Sequence, residues 1–166
     1  MNNPGWQQKM DKSVLGRMLT GQVVIACIGN ELRGDDGVGP FIARLLKPSG
    51  GITVVDCGET PENYLGVISA YRPEKVVIID AAYFGGNPGE IRAVEKSQIS
   101  GGGASTHDAI LTLFADYIEA QTGAETFFVA IQPENSEVGS GLSPVVEAAA
   151  RRLASAINKL IEQKTE

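Results

Sequence analysis

The chain has 166 residues, of which 43% are hydrophobic and 20% charged, the balance of one globular domain with a full core. Its net charge of −6 argues against nucleic acid or an anionic membrane as a partner. No apolar run approaches the ~20 residues of a membrane helix, and the start lacks the apolar core of a signal peptide. We therefore predict one cytoplasmic domain over residues 1–166.

The first half of the chain alternates between predicted helices and strands. Apolar residues at helical spacing in 6–19 predict a short helix within an N-terminal extension, residues 1–21. The continuous apolar run 23–28 predicts a parallel strand covered on both faces, and we expect it to be the central one. A helix follows, with Val38, Phe41, Ile42 and Leu45 on one stripe. Next come a strand at 52–57 and a helix capped by Thr60 and begun by Pro61.

The second half continues the alternation. A strand is predicted at 75–80, an edge strand at 90–95, and then a Gly/Ser-rich loop. The next helix is capped by Ser105 or Thr106 and stopped by Gly123, and strand 126–131 follows. The predicted buried stripe of this helix is Ile110, Phe114, Tyr117 and Gln121. The last helix has Ser143 as cap, Pro144 at its first position, and a buried stripe of Val146, Ala149, Ala150, Leu153, Ile157 and Leu160. This order predicts an α/β fold, a three-layer α/β/α sandwich around a mostly parallel, roughly five-stranded sheet.

Polar and acidic side chains follow the predicted parallel strands where each strand ends. The segment from Asn30 to Asp36 follows the first, Asp56 and Asp80 close the next two, and Gln132 follows the last. Ligands of such sheets bind beyond the carboxyl ends of the strands. Crowded carboxylates repel one another unless a cation lies among them, so this edge predicts a divalent metal site.

The loop 29–36 has the G-x4-G spacing of a phosphate-binding loop but the opposite chemistry. Where that loop supplies Lys and Ser or Thr to a phosphate, this one supplies Asp35 and Asp36, which attract a cation. The simpler interpretation is that both acids cap the following helix. One aspartate is enough for that role, so the second needs another explanation.

His107 is the single histidine. In the first helical turn the helix dipole keeps its ring neutral, as a metal ligand requires, although a lone histidine there is more often a solvated polar residue. Two aspartates and a histidine make a three-ligand site with an open position, as in catalytic metal centres. A nucleophilic Cys27 or Cys57 is the competing scheme, but neither has a flanking signature.

The segments CIGNELRGDDGVGPFIARLL, DCGETPEN, VVIIDAAYFGGNPGEI, STHD and AIQP resemble successive motifs of the nickel-iron hydrogenase maturation endopeptidases. The resemblance runs from Val23 to the final helix. It implies a protease that removes the C-terminal extension of a hydrogenase large-subunit precursor after nickel insertion, cutting near its last nickel-binding cysteine motif. TPEN and NPGEI are most similar to the subgroup serving formate-hydrogenlyase-type enzymes.

By motif position, the resemblance assigns metal binding and catalysis to Asp36, Asp80 and His107, and substrate binding to Asn30, Asp56 and Gln132. Either the enzyme holds a metal that activates water, or the site receives the nickel that the precursor carries. We favour the second alternative. No organic cofactor is expected. The general base is left open among the carboxylates Glu31, Asp35 and Asp56.

Two other classes of function share these ligands. A non-catalytic nickel-binding chaperone does not shorten its partner, and a small-molecule metallohydrolase acts without a protein partner. The sequence leaves the oligomeric state open.

Overall fold

The computed structural model describes residues 8–95 and 106–166. Its strands are β1 (Gln8–Lys9), β2 (Val23–Ile28), β3 (Ile52–Gly58), β4 (Lys75–Ala81), β5 (Ile91–Glu95) and β6 (Glu125–Ile131). Its helices are α1 (Lys12–Met18), α2 (Val38–Leu45), α3 (Leu65–Ala70), α4 (Thr106–Thr122) and α5 (Pro144–Thr165), with 3₁₀ turns at Gly34–Gly37 and Pro61–Tyr64. No helix in these described ranges is long and apolar enough to cross a bilayer.

The strands form one sheet in the order β1-β5-β6-β4-β2-β3. The pairs β3-β2, β2-β4 and β4-β6 are parallel, and β5 and β1 extend the sheet as antiparallel strands. The predicted mostly parallel α/β sheet is confirmed. Two details of the prediction were wrong: β2 lies one position from the β3 edge rather than at the centre, and β5 is not the edge strand. Gln8 and Lys9 pair with the outer side of β5, which satisfies backbone groups that an edge would expose.

The two faces of the sheet are covered by different helices. Buried side chains of α1, α2 and α5, such as Leu15, Ile42 and Leu153, share one apolar cluster with alternate strand residues. The other cluster contains Ile68 of α3 and Ile118 of α4. Neighbouring strand residues face opposite clusters, because side chains alternate along a strand. This is the predicted three-layer sandwich.

The N-terminal segment is an integral part of this core. Helix α1 begins at Lys12, and its cap Asp11 accepts a hydrogen bond from the Val14 N–H at 2.9 Å. The predicted helix was too long, because Gln8 and Lys9 are in β1, and residues 1–7 lie outside the described ranges. Its apolar residues nevertheless pack as the spacing indicated, since Val14, Leu15 and Met18 are buried.

Three other helices differ from prediction in detail. Pro61 begins a 3₁₀ turn before α3, and the Thr60 side chain makes no capping bond. In α4 the core stripe is Leu111, Phe114, Ala115 and Ile118, so that of the predicted stripe only Phe114 is buried. In α5 Ile161 takes the buried place expected of Leu160, which is half-buried. Gly123 ends α4 in the left-handed conformation (φ 73°), as predicted.

Candidate active site at the carboxyl edge of the sheet

Glycines bring the Asp36 segment against the end of β2. A Cβ on Gly39 would lie 2.1 Å from the carbonyl oxygen of Ile28, and one on Gly29 would lie 1.9 Å from that of Asp36. Only glycine permits these backbone approaches. The tight packing leaves Asp36 half-buried beyond the strand end, where its Oδ2 accepts a hydrogen bond from the Asn30 N–H at 3.1 Å.

Asp80 lies near the end of β4 and is only 4% exposed. It pairs in register with Ala130 of β6, which belongs to the apolar cluster beneath α3 and α4. The pairing and the strand alternation place Asp80 on that face, in line with Ile78. Asp80 is therefore at the carboxyl edge on β4, and Asp36, in the 3₁₀ turn that follows the neighbouring strand β2, lies beyond the same edge.

Helix α4, which carries His107 in its first turn, begins at the same edge. Ile110 and Leu111 line a pocket together with Glu59 and Pro61, which directly follow β3. The helix then runs toward the opposite edge, where β6 begins. The side chain of His107 lies outside the described residues, so its contact with Asp36 and Asp80 stays a prediction. Within the described residues no three His, Cys, Asp or Glu side chains are grouped to hold a metal ion.

Asp35, the other acid of the pair, is fully buried. Its carboxylate accepts hydrogen bonds from the N–H groups of Glu134 and Asn135 and from the N–H and hydroxyl of Ser143, at 2.7 to 3.0 Å. Burial raises its pKa, but these bonds outweigh burial, and the net pKa is lowered. Asp35 is thus a charged structural anchor. It is fully occupied and is not placed to act as the general base.

Ser143 is the predicted cap of α5, but its side chain has a different partner. It is the residue that precedes α5, but its hydroxyl makes no capping bond to the helix backbone. Instead the hydroxyl donates to the Asp35 carboxylate at 2.8 Å. A hydrogen bond to a charged acceptor is stronger than one between neutral groups, so this bond stabilises the contact between the two loops.

Asn30 links Asp36 to a residue that the sequence did not single out. Its Nδ2 donates to Glu59 Oε2 at 2.7 Å, and its Oδ1 accepts from the Leu32 N–H at 2.9 Å. Both ends of the amide are therefore fixed. No sequence signal identified Glu59, which follows the recognised Asp56 in the same motif. Asn30 as a substrate-binding residue stays a prediction.

Asp56 is exposed near the end of β3. It pairs with Cys27, which belongs to the cluster beneath α2, so its side chain leaves the sheet on the face opposite to Asp80. The register shifts after this pair, with Ile28 opposite Gly58, and the Gly58 N–H donates to Asp56 Oδ1 at 3.0 Å. Glu31, another carboxylate considered as a base, is paired with Arg44.

Gln132 holds the loop that follows Asp80. Its buried Oε1 accepts from the N–H groups of Phe84 at 2.9 Å and Gly86 at 3.3 Å. Its backbone also bonds to Gly89 and Glu90. These contacts define a positioning role, and substrate binding by Gln132 stays a prediction.

Both cysteines are free and buried. Burial, followed by the charge of Asp56, raises the pKa of Cys57 to about 12. Burial likewise raises the pKa of Cys27, with Cys57 and Asp56 adding to the effect. A thiol must ionise to act as a nucleophile, so cysteine catalysis is disfavoured, as the sequence indicated.

An open, mostly parallel α/β sheet with acidic side chains past its strand ends is the arrangement of an enzyme whose ligand binds at the carboxyl edge. Residues 40–160 match the model of a protein family described as HycI, hydrogenase maturation protease. The chain belongs to this family. The resemblance seen in the sequence motifs is confirmed, and the chain is a hydrolase, a protease of hydrogenase maturation.

Individual relatives agree with the family assignment. The chain is 38% identical over 114 residues to the hydrogenase 3 maturation protease of Escherichia coli K12. This match covers 67% of this chain and 72% of that protein. The crystal structure of a [NiFe] hydrogenase maturation protease HycI from Thermococcus kodakarensis superimposes with a TM-score of 0.83 at 36% identity, covering 90% of this chain and 99% of the other. The solution structure of the endopeptidase HycI from E. coli gives 0.73 at 28% identity, covering 84% and 90%.

Proposed function

We propose that this protease removes the C-terminal extension of a nickel-iron hydrogenase large-subunit precursor, and that Asp36, Asp80 and His107 bind the nickel ion that the precursor carries. The observation that supports this best is the position of the two aspartates. Asp80 lies near the end of β4, and Asp36 lies in the 3₁₀ turn that follows the neighbouring strand β2. Both are at the edge from which α4 begins with His107 in its first turn.

The chemistry of this donor set fits a divalent cation. Carboxylate oxygens and an imidazole nitrogen are common ligands of first-row divalent metals. Three protein ligands leave coordination positions open, and the cysteines of the precursor fill them in this proposal. A nickel ion shared in this way fixes the neighbouring peptide segment against the enzyme, which lowers the entropic cost of cleavage.

The second candidate mechanism has the same residues hold a metal that belongs to the enzyme and activates water. The two carboxylates support either mechanism. A chaperone without protease activity and a small-molecule hydrolase are not favoured, because the chain belongs to a family of maturation proteases.

We also infer a substrate of the formate-hydrogenlyase type, on the motifs TPEN and NPGEI, and its similarity to the hydrogenase 3 maturation protease supports this choice. A cytoplasmic location is part of the proposal. It is supported by the two free cysteines, since reduced thiols are typical of that compartment.

The direct test follows the mass of the precursor. Purified protein is mixed with nickel-loaded precursor, and mass spectrometry measures the loss of the extension. Asp36→Asn and Asp80→Asn should prevent this loss. Glu125→Gln is the matched control, because Glu125 is an exposed acid at the opposite, amino end of the sheet. If the wild-type protein binds the precursor and never shortens it, the protein is a chaperone and the proposal is wrong.

A further inference from the structure

An apolar groove of about 470 Å³ lies between α4 and the segment that follows β3. Ile110, Leu113 and Tyr117 line it on the α4 side, and Pro61 and Leu65 line it on the other. Its volume is within the ~300 to 1,000 Å³ range of ligand pockets. The groove therefore has room for a few side chains.

The α4 wall of this groove is unusually exposed. Leu113 is 68% exposed, Ile110 47% and Tyr117 46%. The core contacts of α4 come from a different stripe, which includes Leu111 and Ile118. The three exposed side chains are therefore not needed to pack the helix. Contiguous exposed apolar residues of this kind mark binding surfaces.

The groove lies beside the candidate active site. Glu59 lines the groove, and its carboxylate accepts a hydrogen bond from the Asn30 side chain at 2.7 Å. The backbone N–H of Asn30 in turn donates to Asp36 at 3.1 Å. Two hydrogen bonds through one residue thus connect the groove to a predicted metal ligand. The groove is therefore close to the site, on the side of Glu59.

The lining of the groove also carries negative charge. Glu59 and Glu62 are both exposed and both line it. Acidic groups beside an apolar surface favour an occupant that combines apolar side chains with a basic one, through electrostatic complementarity. We expect an extended peptide as the occupant, because a groove with room for a few side chains suits a short stretch of chain.

We propose that this groove binds the C-terminal extension of the precursor, with apolar side chains of the extension on Ile110, Leu113 and Tyr117 and a basic side chain near Glu59 and Glu62. The proposal rests on the proposed function, since it assumes that the extension is the segment removed. It assigns recognition of the substrate to residues of α4 that are separate from the predicted metal ligands.

The first measurement is peptide binding without cleavage. A fluorescein-labelled synthetic peptide with the sequence of the extension is titrated with full-length protein carrying Asp36→Asn, and anisotropy reports binding. Leu113→Ser and Tyr117→Ser should each weaken binding about tenfold or more, since each removes a large apolar contact. Val67→Ser, at a position of α3 that is 48% exposed and outside the groove, should leave it unchanged. Glu62→Gln should reduce the salt dependence of binding.

The second measurement uses the complete nickel-loaded precursor and otherwise wild-type protein. Leu113→Ser should raise KM about tenfold with little change in kcat, because the groove binds substrate and transition state alike. An unchanged KM together with unchanged peptide binding overturns the groove proposal, and so does tighter binding of a peptide from the mature side of the cut. A change in oligomeric state in Leu113→Ser would identify a second copy as the occupant. In each case wild-type cleavage still tests the proposed function separately.

Discussion

Asp35 and Ser143 are joined through both the backbone N–H and the hydroxyl of Ser143. The Ser143 N–H donates to Asp35 Oδ1 at 2.7 Å, and its hydroxyl lies 2.9 Å from Oδ1 and 2.8 Å from Oδ2. With the N–H groups of Glu134 and Asn135, they connect the turn before α2 to the loop before α5. Because Asp36 is the next residue, this connection fixes the backbone that presents a predicted metal ligand.

The variant Asp35→Asn should lose about 2 to 4 kcal/mol of stability. The substitution removes a buried charge that accepts several hydrogen bonds. The NH₂ group of the new asparagine cannot accept a hydrogen bond from any of these donors. Urea unfolding measures the change. Asp36→Asn is the matched control, since Asp36 is only half-buried and accepts one bond from the described residues, and we expect less than ~1 kcal/mol there. Equal losses in both variants would show that Asp35 is not the anchor.

The same network predicts an acid dependence of stability. The pKa of Asp35 in the folded protein is below its ordinary value of 3.8, so the ionised carboxylate stabilises the fold at any pH above that value. This contribution is lost as the pH falls from 3.8 through the lowered pKa. The difference in Tm between wild type and Asp35→Asn should be constant above about pH 5 and shrink under acid. A difference that persists unchanged at the lowest pH would contradict this assignment.

Replacing the predicted ligands should separate activity from folding. Asp36→Asn, Asp80→Asn and His107→Ala should each abolish processing of the precursor, because a metal held by fewer ligands is bound weakly and in the wrong place. The fold should persist, as both asparagine substitutions keep the side-chain shape. Circular dichroism and the mass of the precursor provide the two measurements. Processing by all three variants at the wild-type rate would reject the site.

Gln132→Met should destabilise the loop after Asp80. The substitution keeps the size of the side chain but leaves the N–H groups of Phe84 and Gly86 without their acceptor, at a cost of about 1 to 3 kcal/mol. Tyr83→Phe is a control in the same loop, because it removes only the exposed contact with Ser136. Thermal unfolding compares the two variants. If they behave alike, Gln132 does not position this loop.

The sequence predicted the layers of the fold well because its strands are continuous apolar runs. VVIACI over 23–28 is buried along its whole length, as the pattern indicated. The sequence did not reveal that Gln8 and Lys9 form a strand that pairs with β5, since two residues carry no periodic pattern. The stripe of α4 was misassigned by part of a turn. Ile110 and Tyr117 fit the spacing of a buried stripe, and only the structure shows that they line a groove instead.

The site was predicted only to the extent that strand order determines it. Asp80 is at a strand end, and a hydrophobic run followed by Asp makes that visible. The sequence did not show that Asp35 is a structural residue while Asp36 is the predicted ligand. The donors that bind Asp35 lie 99 to 108 positions later in the chain. Gln132 was marked by its motif alone, and its bond to Phe84 spans 48 positions.

The metal state of the precursor distinguishes the two proposed mechanisms. If nickel in the substrate is the signal, nickel-free precursor should stay uncut even when the enzyme is supplied with zinc. The reason is that Asp36, Asp80 and His107 leave a cation incompletely coordinated. A nickel ion anchored by the cysteines of the precursor bridges both proteins and holds the cleavage segment in place.

Without that bridge the binding energy is absent, and zinc in the enzyme does not restore it. The experiment mixes enzyme with nickel-loaded and nickel-free precursor, with and without zinc, and follows the extension by mass spectrometry. The variant Asp36→Asn with nickel-loaded precursor gives the background, because it removes one predicted ligand while Asp35 keeps the loop in place. Zinc-dependent cleavage of the nickel-free precursor would instead favour a metal that belongs to the enzyme, since only a resident ion activates water without the metal of the substrate.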